Sequence, residues 1–227
     1  MAGEHMNLTE RVVQATKAVG VVPCIKLRDR RDCLPYARAM AEGGARVIEI
    51  TMTTPGALEA IEAVASEFKG RVYVAAGTVL DATTAREVIH RGGSLLVNPA
   101  VLPEVIEVGL QHGVPVYSGA FTATECLRAI RAGATMLKIF PAQLGGPMYL
   151  TNLKMVFPDA DLIPSGGISL ANAADYIRCG ACAVSGNRVF MDEERIAAEG
   201  FGWLAEQVRQ MIARVQAAKQ NLPPLPR

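Results

Sequence analysis

Histidine is scarce in this chain, with only His5, His90 and His112 among 227 residues. His5 falls in a tail, and the other two end helical stretches just before a glycine. That distribution argues against a metal centre built on imidazole ligands. Cysteine is also limited: five residues, an odd number, at positions 24, 33, 126, 179 and 182. A chain of this length with so few thiols has no disulfide framework, so reduced thiols are expected. Cys179 and Cys182 have the spacing of a redox or metal pair but lack a second pair and a nearby histidine. They read instead as small buried residues. Charge of one sign is missing too: 23 basic and 22 acidic residues leave a net charge of +1. No basic footprint for nucleic acid or an anionic membrane follows from that balance. No apolar run approaches the ~20 residues that span a bilayer. The first residues lack a basic start followed by an apolar stretch, which excludes a signal peptide there. Residues 1–6 read as a tag remnant or a disordered lead, with Met6 a native start. A cytoplasmic location is expected.

What is present is a well-filled core, since half of the residues are hydrophobic. The chain repeats one unit: an amphipathic stretch, a glycine, then a short apolar run. Glu42-Gly43-Gly44 leads into Arg46-Val-Ile-Glu-Ile-Thr51, and Arg91-Gly92-Gly93 into Ser94-Leu-Leu-Val97. His112-Gly113 leads into Val114-Pro-Val-Tyr117, and Ala132-Gly133 into Thr135-Met-Leu-Lys-Ile-Phe140. Cys179-Gly180 precedes Ala181-Cys-Ala-Val-Ser185. Glycine in the left-handed conformation is a common end for a helix that gives way to a strand. Val21-Val-Pro-Cys-Ile25, Arg71-Val-Tyr-Val-Ala-Ala76 and Asp161-Leu-Ile-Pro164 complete eight strand candidates, one every 20–26 residues. Strands separated by single helices pair in parallel. Eight such units in ~200 residues predict one closed (β/α)8 barrel, a TIM barrel, over an open doubly wound sheet. A helix over 8–19 would cover the barrel floor. Residues 192–219 form the last outer helix, with Leu204, Val208, Met211 and Val215 on one face. Residues 220–227 read as a Pro-rich tail, and no linker or second domain is evident.

Catalytic groups of such barrels sit at the C-terminal ends of the strands. Two charges break apolar strands there. Glu49 interrupts Val47-Ile48-Glu49-Ile50-Thr51, and Lys138 interrupts Met136-Leu137-Lys138-Ile139-Phe140. Period-two alternation points both into the barrel if their neighbours pack on helices. A buried ion pair filling the centre is one reading, though such a pair adds little stability. Covalent catalysis is the other. Burial disfavours an ammonium, and a neutral amine attacks a carbonyl to form a Schiff base. A carboxylate close by can then move protons. Two glycine-bearing turns follow the last strands: Pro164-Ser165-Gly166-Gly167-Ile168 and Ser185-Gly186-Asn187. They could be ordinary turns, but their position suits a phosphate held by backbone N–H groups. Asn172 and Arg188 lie nearby without an assigned role. Gly145-Gly146-Pro147 reads as a mobile rim.

These segments, in this order, resemble the 2-keto-3-deoxy-6-phosphogluconate (KDPG) and 4-hydroxy-2-oxoglutarate (KHG) aldolase family. The likeness runs from about Val21 to Phe190. It rests on Gly43-Gly44-Ala-Arg-Val-Ile-Glu49-Ile-Thr51, Ala76-Gly77-Thr78-Val79-Leu80, Asn98-Pro99, Leu137-Lys138-Ile139-Phe140-Pro141-Ala142, Pro164-Ser165-Gly166-Gly167-Ile168 and Ser185-Gly186. The resemblance implies a class I lyase without metal or other cofactor. It would cleave a 2-keto-3-deoxy sugar acid phosphate to pyruvate and glyceraldehyde 3-phosphate. It further implies that Lys138 is the Schiff-base lysine and Glu49 the general acid/base. Substrate contacts would come from Thr78, Thr53, Pro99, Phe140, Lys26 and Ser165, and phosphate contacts from Gly166, Gly167, Gly186 and Asn187. A homotrimer is the implied assembly. The chain departs from many relatives at Thr53, where they carry arginine for the substrate carboxylate; Lys26 is the substitute cation in reach. It also departs at Asn98, Ser118 and Ser165. These changes leave open the galactonate epimer, unphosphorylated 4-hydroxy-2-oxoglutarate, and a weakened sugar-phosphate-binding protein.

Overall fold

A computed structural model of the chain describes residues 6–29 and 32–222. The expectations for residues 1–5 and 223–227, including His5, lie outside the described residues. Eight strands pair in parallel, in the order β7-β6-β5-β4-β3-β2-β1-β8. They are β1 (Val21–Ile25), β2 (Val47–Thr51), β3 (Tyr73–Gly77), β4 (Leu95–Val97), β5 (Val116–Ala120), β6 (Met136–Ile139), β7 (Leu162–Pro164) and β8 (Val184–Gly186). Isolated parallel bridges, Leu162 to Ala181 and Ser165 to Ser185, bring β7 back to β8 and close the ring. This is the (β/α)8 barrel that the strand count predicts.

Helix α1 (Leu8–Val19) precedes β1 and covers the floor as expected. Asn7 and Glu10 form a capping box at its start, satisfying two otherwise orphaned N–H groups. Its Val12 enters the barrel-interior cluster with Val22, Val47, Leu95, Tyr117 and Met136. Thr16 Oγ1 and the buried Tyr117 hydroxyl, 2.8 Å apart, join floor to interior. The second, larger cluster lies between strands and helices and holds Ile48, Ile50, Leu137 and Ile139. The alternation between the two clusters fixes which strand residues face inward.

Helices α2 (Leu34–Glu42), α3 (Ala57–Phe68), α4 (Ala82–His90), α5 (Pro103–His112) and α6 (Ala123–Ala132) alternate with the strands. Helices α7 (Ala142–Val156), α8 (Ala173–Arg178), α9 (Glu193–Glu199) and α10 (Phe201–Gln220) complete the ring. Three details differ from the sequence reading. Gly145-Gly146-Pro147, expected as a mobile rim, lies within α7, kinked where Gly146 takes φ 67°, ψ −179°. The last outer helix is two, broken at Gly200; Leu204, Val208, Met211 and Val215 are buried on the second. That helix continues through Gln220, past the expected start of the tail. Among the described residues, no helix is long and apolar enough to cross a membrane. Cys179 packs with the outer cluster and Cys182 with the interior one, both half-buried and free.

Candidate active site

Glu49 on β2 and Lys138 on β6 meet inside the barrel. Glu49 Oε1 lies 3.5 Å from Lys138 Nζ; the residues are 2% and 9% exposed. Burying either charge alone would be costly, so the fold holds them together. Two neighbours shape the carboxylate. Cys24, the register partner of Glu49 on β1, places Sγ 3.7 Å from the same Oε1. On the other side runs the backbone of Gly77, where a Cβ would stand 2.0 Å from Oε1. Only glycine leaves room there. Burial first, and the Glu49 carboxylate second, push the Cys24 thiol well above 9.0, so it stays protonated.

These groups line a cavity of about 650 Å³ at the C-terminal end of the strands. Thr78 follows Gly77 on its wall and takes φ 60°, a conformation that is uncommon outside glycine and gathers at functional positions. Pro99 lines the cavity after β4. The Asn98 side chain accepts from the Gly119 N–H at 3.0 Å. Gly119 sits so close to Pro99 that a Cβ would lie 2.0 Å from the Pro99 carbonyl carbon. Gly119 is also the register partner of Lys138, so this contact sets the wall beside the lysine. The Phe140 ring, 40% exposed, has its centroid 5.9 Å from Lys138 Nζ.

The turns after β7 and β8 form the opposite wall. Gly166 and Gly167 both take positive φ, 90° and 72°. Asn172 pins this turn, donating to Gly167 O and accepting from Ser169 N. Asn187 donates to Cys24 O at 2.9 Å, tying the β8 turn to the end of β1. Ser165, Gly186, Lys26 and Arg188 also face the cavity, so it presents two exposed cations besides Lys138.

All the residues expected from the sequence meet here except Thr53. It is exposed and is not on the wall; its hydroxyl lies 3.0 Å from that of Thr51, which is. The strand ends at Thr51, and Thr54 N turns back to Thr51 O, so the inward alternation stops before Thr53. Cys24 and Gln143 are wall residues that the sequence reading did not select. For Cys24 the signal existed: it shares the parity of Val22 and Lys26. Gln143, one position into α7, gave none.

A family model described as KDPG and KHG aldolase matches residues 12–206. A 2-dehydro-3-deoxy-phosphogluconate aldolase of Treponema pallidum is 34% identical over 205 residues, covering 88% of this chain and 97% of its own. A 2-dehydro-3-deoxy-6-phosphogalactonate aldolase of Escherichia coli is 34% identical over 68% of this chain and 76% of its own. Among solved structures, a Legionella pneumophila KDPG aldolase with pyruvate captured as a covalent carbinolamine superposes with a TM-score of 0.81. It is 26% identical, with 91% of this chain and 98% of that one covered.

Proposed function

The chain belongs to the KDPG and KHG aldolase family, and on that premise we propose that it is a Schiff-base aldolase acting through Lys138 and Glu49. Its substrate is 2-keto-3-deoxy-6-phosphogluconate, cleaved reversibly to pyruvate and glyceraldehyde 3-phosphate, with 4-hydroxy-2-oxoglutarate as a further substrate. The observation that carries the reading is the buried amine 3.5 Å from a buried carboxylate at the mouth of an open cavity.

Lys138 Nζ adds to the 2-keto carbon, and loss of water gives the iminium. Glu49, through a water, takes the proton from the C4 hydroxyl. The C3–C4 bond breaks, its electron pair flows into the iminium to form an enamine, and the aldehyde leaves. Protonation at C3 and hydrolysis release pyruvate and restore the amine. The imine is the electron sink, so the chemistry calls for no cofactor. Thr78 and Lys26 hold the carboxylate, Lys26 serving for the charge that Thr53 lacks. Phe140 and Pro99 pack on the pyruvyl carbons. Phosphate sits on the Gly166-Gly167 and Gly186 turns, beside Ser165 and Asn187. Asn187 is partly committed to Cys24 O, so its part is to hold the turn as much as to touch the ligand. The homotrimer rests on the family likeness; Leu110, Leu127, Ile130, Leu144 and Met148, on consecutive helices, are exposed apolar side chains that an assembly would cover.

Relatives of two names make the galactonate epimer the second reading, separated by assaying both epimers side by side. The mechanism is tested by incubating the protein with pyruvate and borohydride and mapping the adduct. A reduced pyruvyl adduct on Lys138 is expected, and its absence would overturn the mechanism in favour of a sugar-phosphate-binding protein.

A further inference from the structure

Cys24 is a buried thiol on the cavity wall that the mechanism above leaves idle. It faces Glu49 across the β1–β2 register. Its Sγ reaches Glu49 Oε1 at 3.7 Å, against 3.8 Å to the Ile25 carbonyl. An ionised carboxylate is the stronger acceptor of the two. Oε1 is also the oxygen that faces Lys138 Nζ and the Gly77 backbone. Among the described residues, nothing hydrogen-bonds Oε2. The carboxylate is therefore divided: Oε1 is anchored and Oε2 is left for proton transfer. The charges facing this group are Lys138 from β6 and Lys26 from the end of β1, with Arg188 across the cavity.

The anchoring changes during the reaction. As the iminium, Lys138 Nζ keeps its charge but has a single N–H to offer, and at the enamine the charge is lost as well, so its hold on Oε1 weakens as the reaction proceeds. The Cys24 thiol is untouched by that step. We propose that Cys24 is a positioning residue: its S–H donates to Glu49 Oε1 and keeps Oε2 aimed at the substrate while Lys138 is engaged as the imine. This rests on the aldolase reading and deepens it.

The test isolates proton transfer by Glu49 from imine formation by Lys138. In D2O with pyruvate alone, Glu49 takes a C3 proton from the iminium. The C–H pair becomes the enamine double bond, the nitrogen loses its positive charge, and a deuteron returns to C3. Proton NMR of the pyruvate methyl group reads this exchange, and borohydride trapping reads the imine. Cys24→Ala and Cys24→Val remove the donor, whereas Cys24→Ser keeps it. Both donor-less variants are expected to trap pyruvate like the unaltered protein but exchange about tenfold more slowly, the effect of losing one hydrogen bond to a charged group. Cys24→Ser is expected within about twofold of the unaltered rate. Exchange by Cys24→Ala or Cys24→Val at the unaltered rate overturns the proposal, and so does a serine variant as slow as alanine. Should one donor-less variant fail to fold, the other decides. If the unaltered protein traps no pyruvate, the aldolase reading falls and takes this proposal with it, an outcome distinct from normal trapping with unchanged exchange.

Discussion

At the scale of single residues, the site depends as much on missing atoms as on reactive ones. A methyl group at Gly77 would occupy the position of Glu49 Oε1. Gly77→Ala is therefore expected to expel the carboxylate and lower kcat by about 10²- to 10⁴-fold, the usual worth of a general base. Borohydride trapping at Lys138 should persist, and steady-state kinetics beside trapping checks the split. Lys26→Ala is expected to raise KM several-fold with little change in kcat, and an unchanged KM would remove Lys26 from the site. Burial pushes the thiols of Cys33 and Cys126 up to about 11 and that of Cys182 to about 12. Cys24 is raised as well. The thiolate is the reactive form, so these four should resist iodoacetamide at pH 8 in the native protein and react once guanidinium unfolds it, as peptide mapping would record. Glu49 and Lys138 were legible because a charge inside an apolar strand needs a partner. Thr53 falls off the cavity wall because the strand stops at Thr51, which the sequence pattern does not report.

At the scale of elements, glycine exits and side-chain caps set the boundaries. Gly20, Gly113 and Gly133 end α1, α5 and α6 in the left-handed conformation, and the exits at Gly113 and Gly133 were readable. The kink in α7 was not, because a Gly-Gly-Pro run reads equally as a loop or as a break inside a helix. Helix α6 begins with a capping box between Thr122 and Glu125. Thr122→Ala is expected to cost ~1 kcal/mol, read as a lowered Tm. Glu125 adds a pH dependence. Its carboxylate accepts from Thr122 N, Phe121 N and the Thr122 hydroxyl. Those bonds hold its carboxyl below the usual range. A group whose proton affinity falls on folding stabilises the native state above its unfolded value of ~4.3 and loses that contribution as the pH drops through its folded value. Comparing Tm across pH for Glu125→Gln and the unaltered protein should show a gap at neutral pH that closes in acid.

At the scale of the whole molecule, eight repeats and a balanced composition made the barrel legible, whereas its unevenness was not. Most neighbouring strands share ladders of several residues, such as the five paired positions of β2 and β3. Strands β7 and β8 are three residues each and meet only through isolated bridges. Strand length depends on how far neighbours stay in register, which no local pattern reports. Hydrogen exchange followed by mass spectrometry should find β7 and β8 opening before β2 and β3. Glycerol 3-phosphate, an unreactive phosphate, should slow that opening and raise Tm, adding ~2.7 kcal/mol of stability at a hundred times its Kd.

That thin seam gives the ligand a second office. The turns assigned to phosphate spring from the two staves that barely touch, Gly166 and Gly167 from one and Gly186 from the other. An anion seated across them is a hoop on the cask, tightening its loosest joint from outside the backbone. On the proposed phosphate seat, each catalytic cycle would cinch the vessel when sugar phosphate arrives and slacken it when triose phosphate departs.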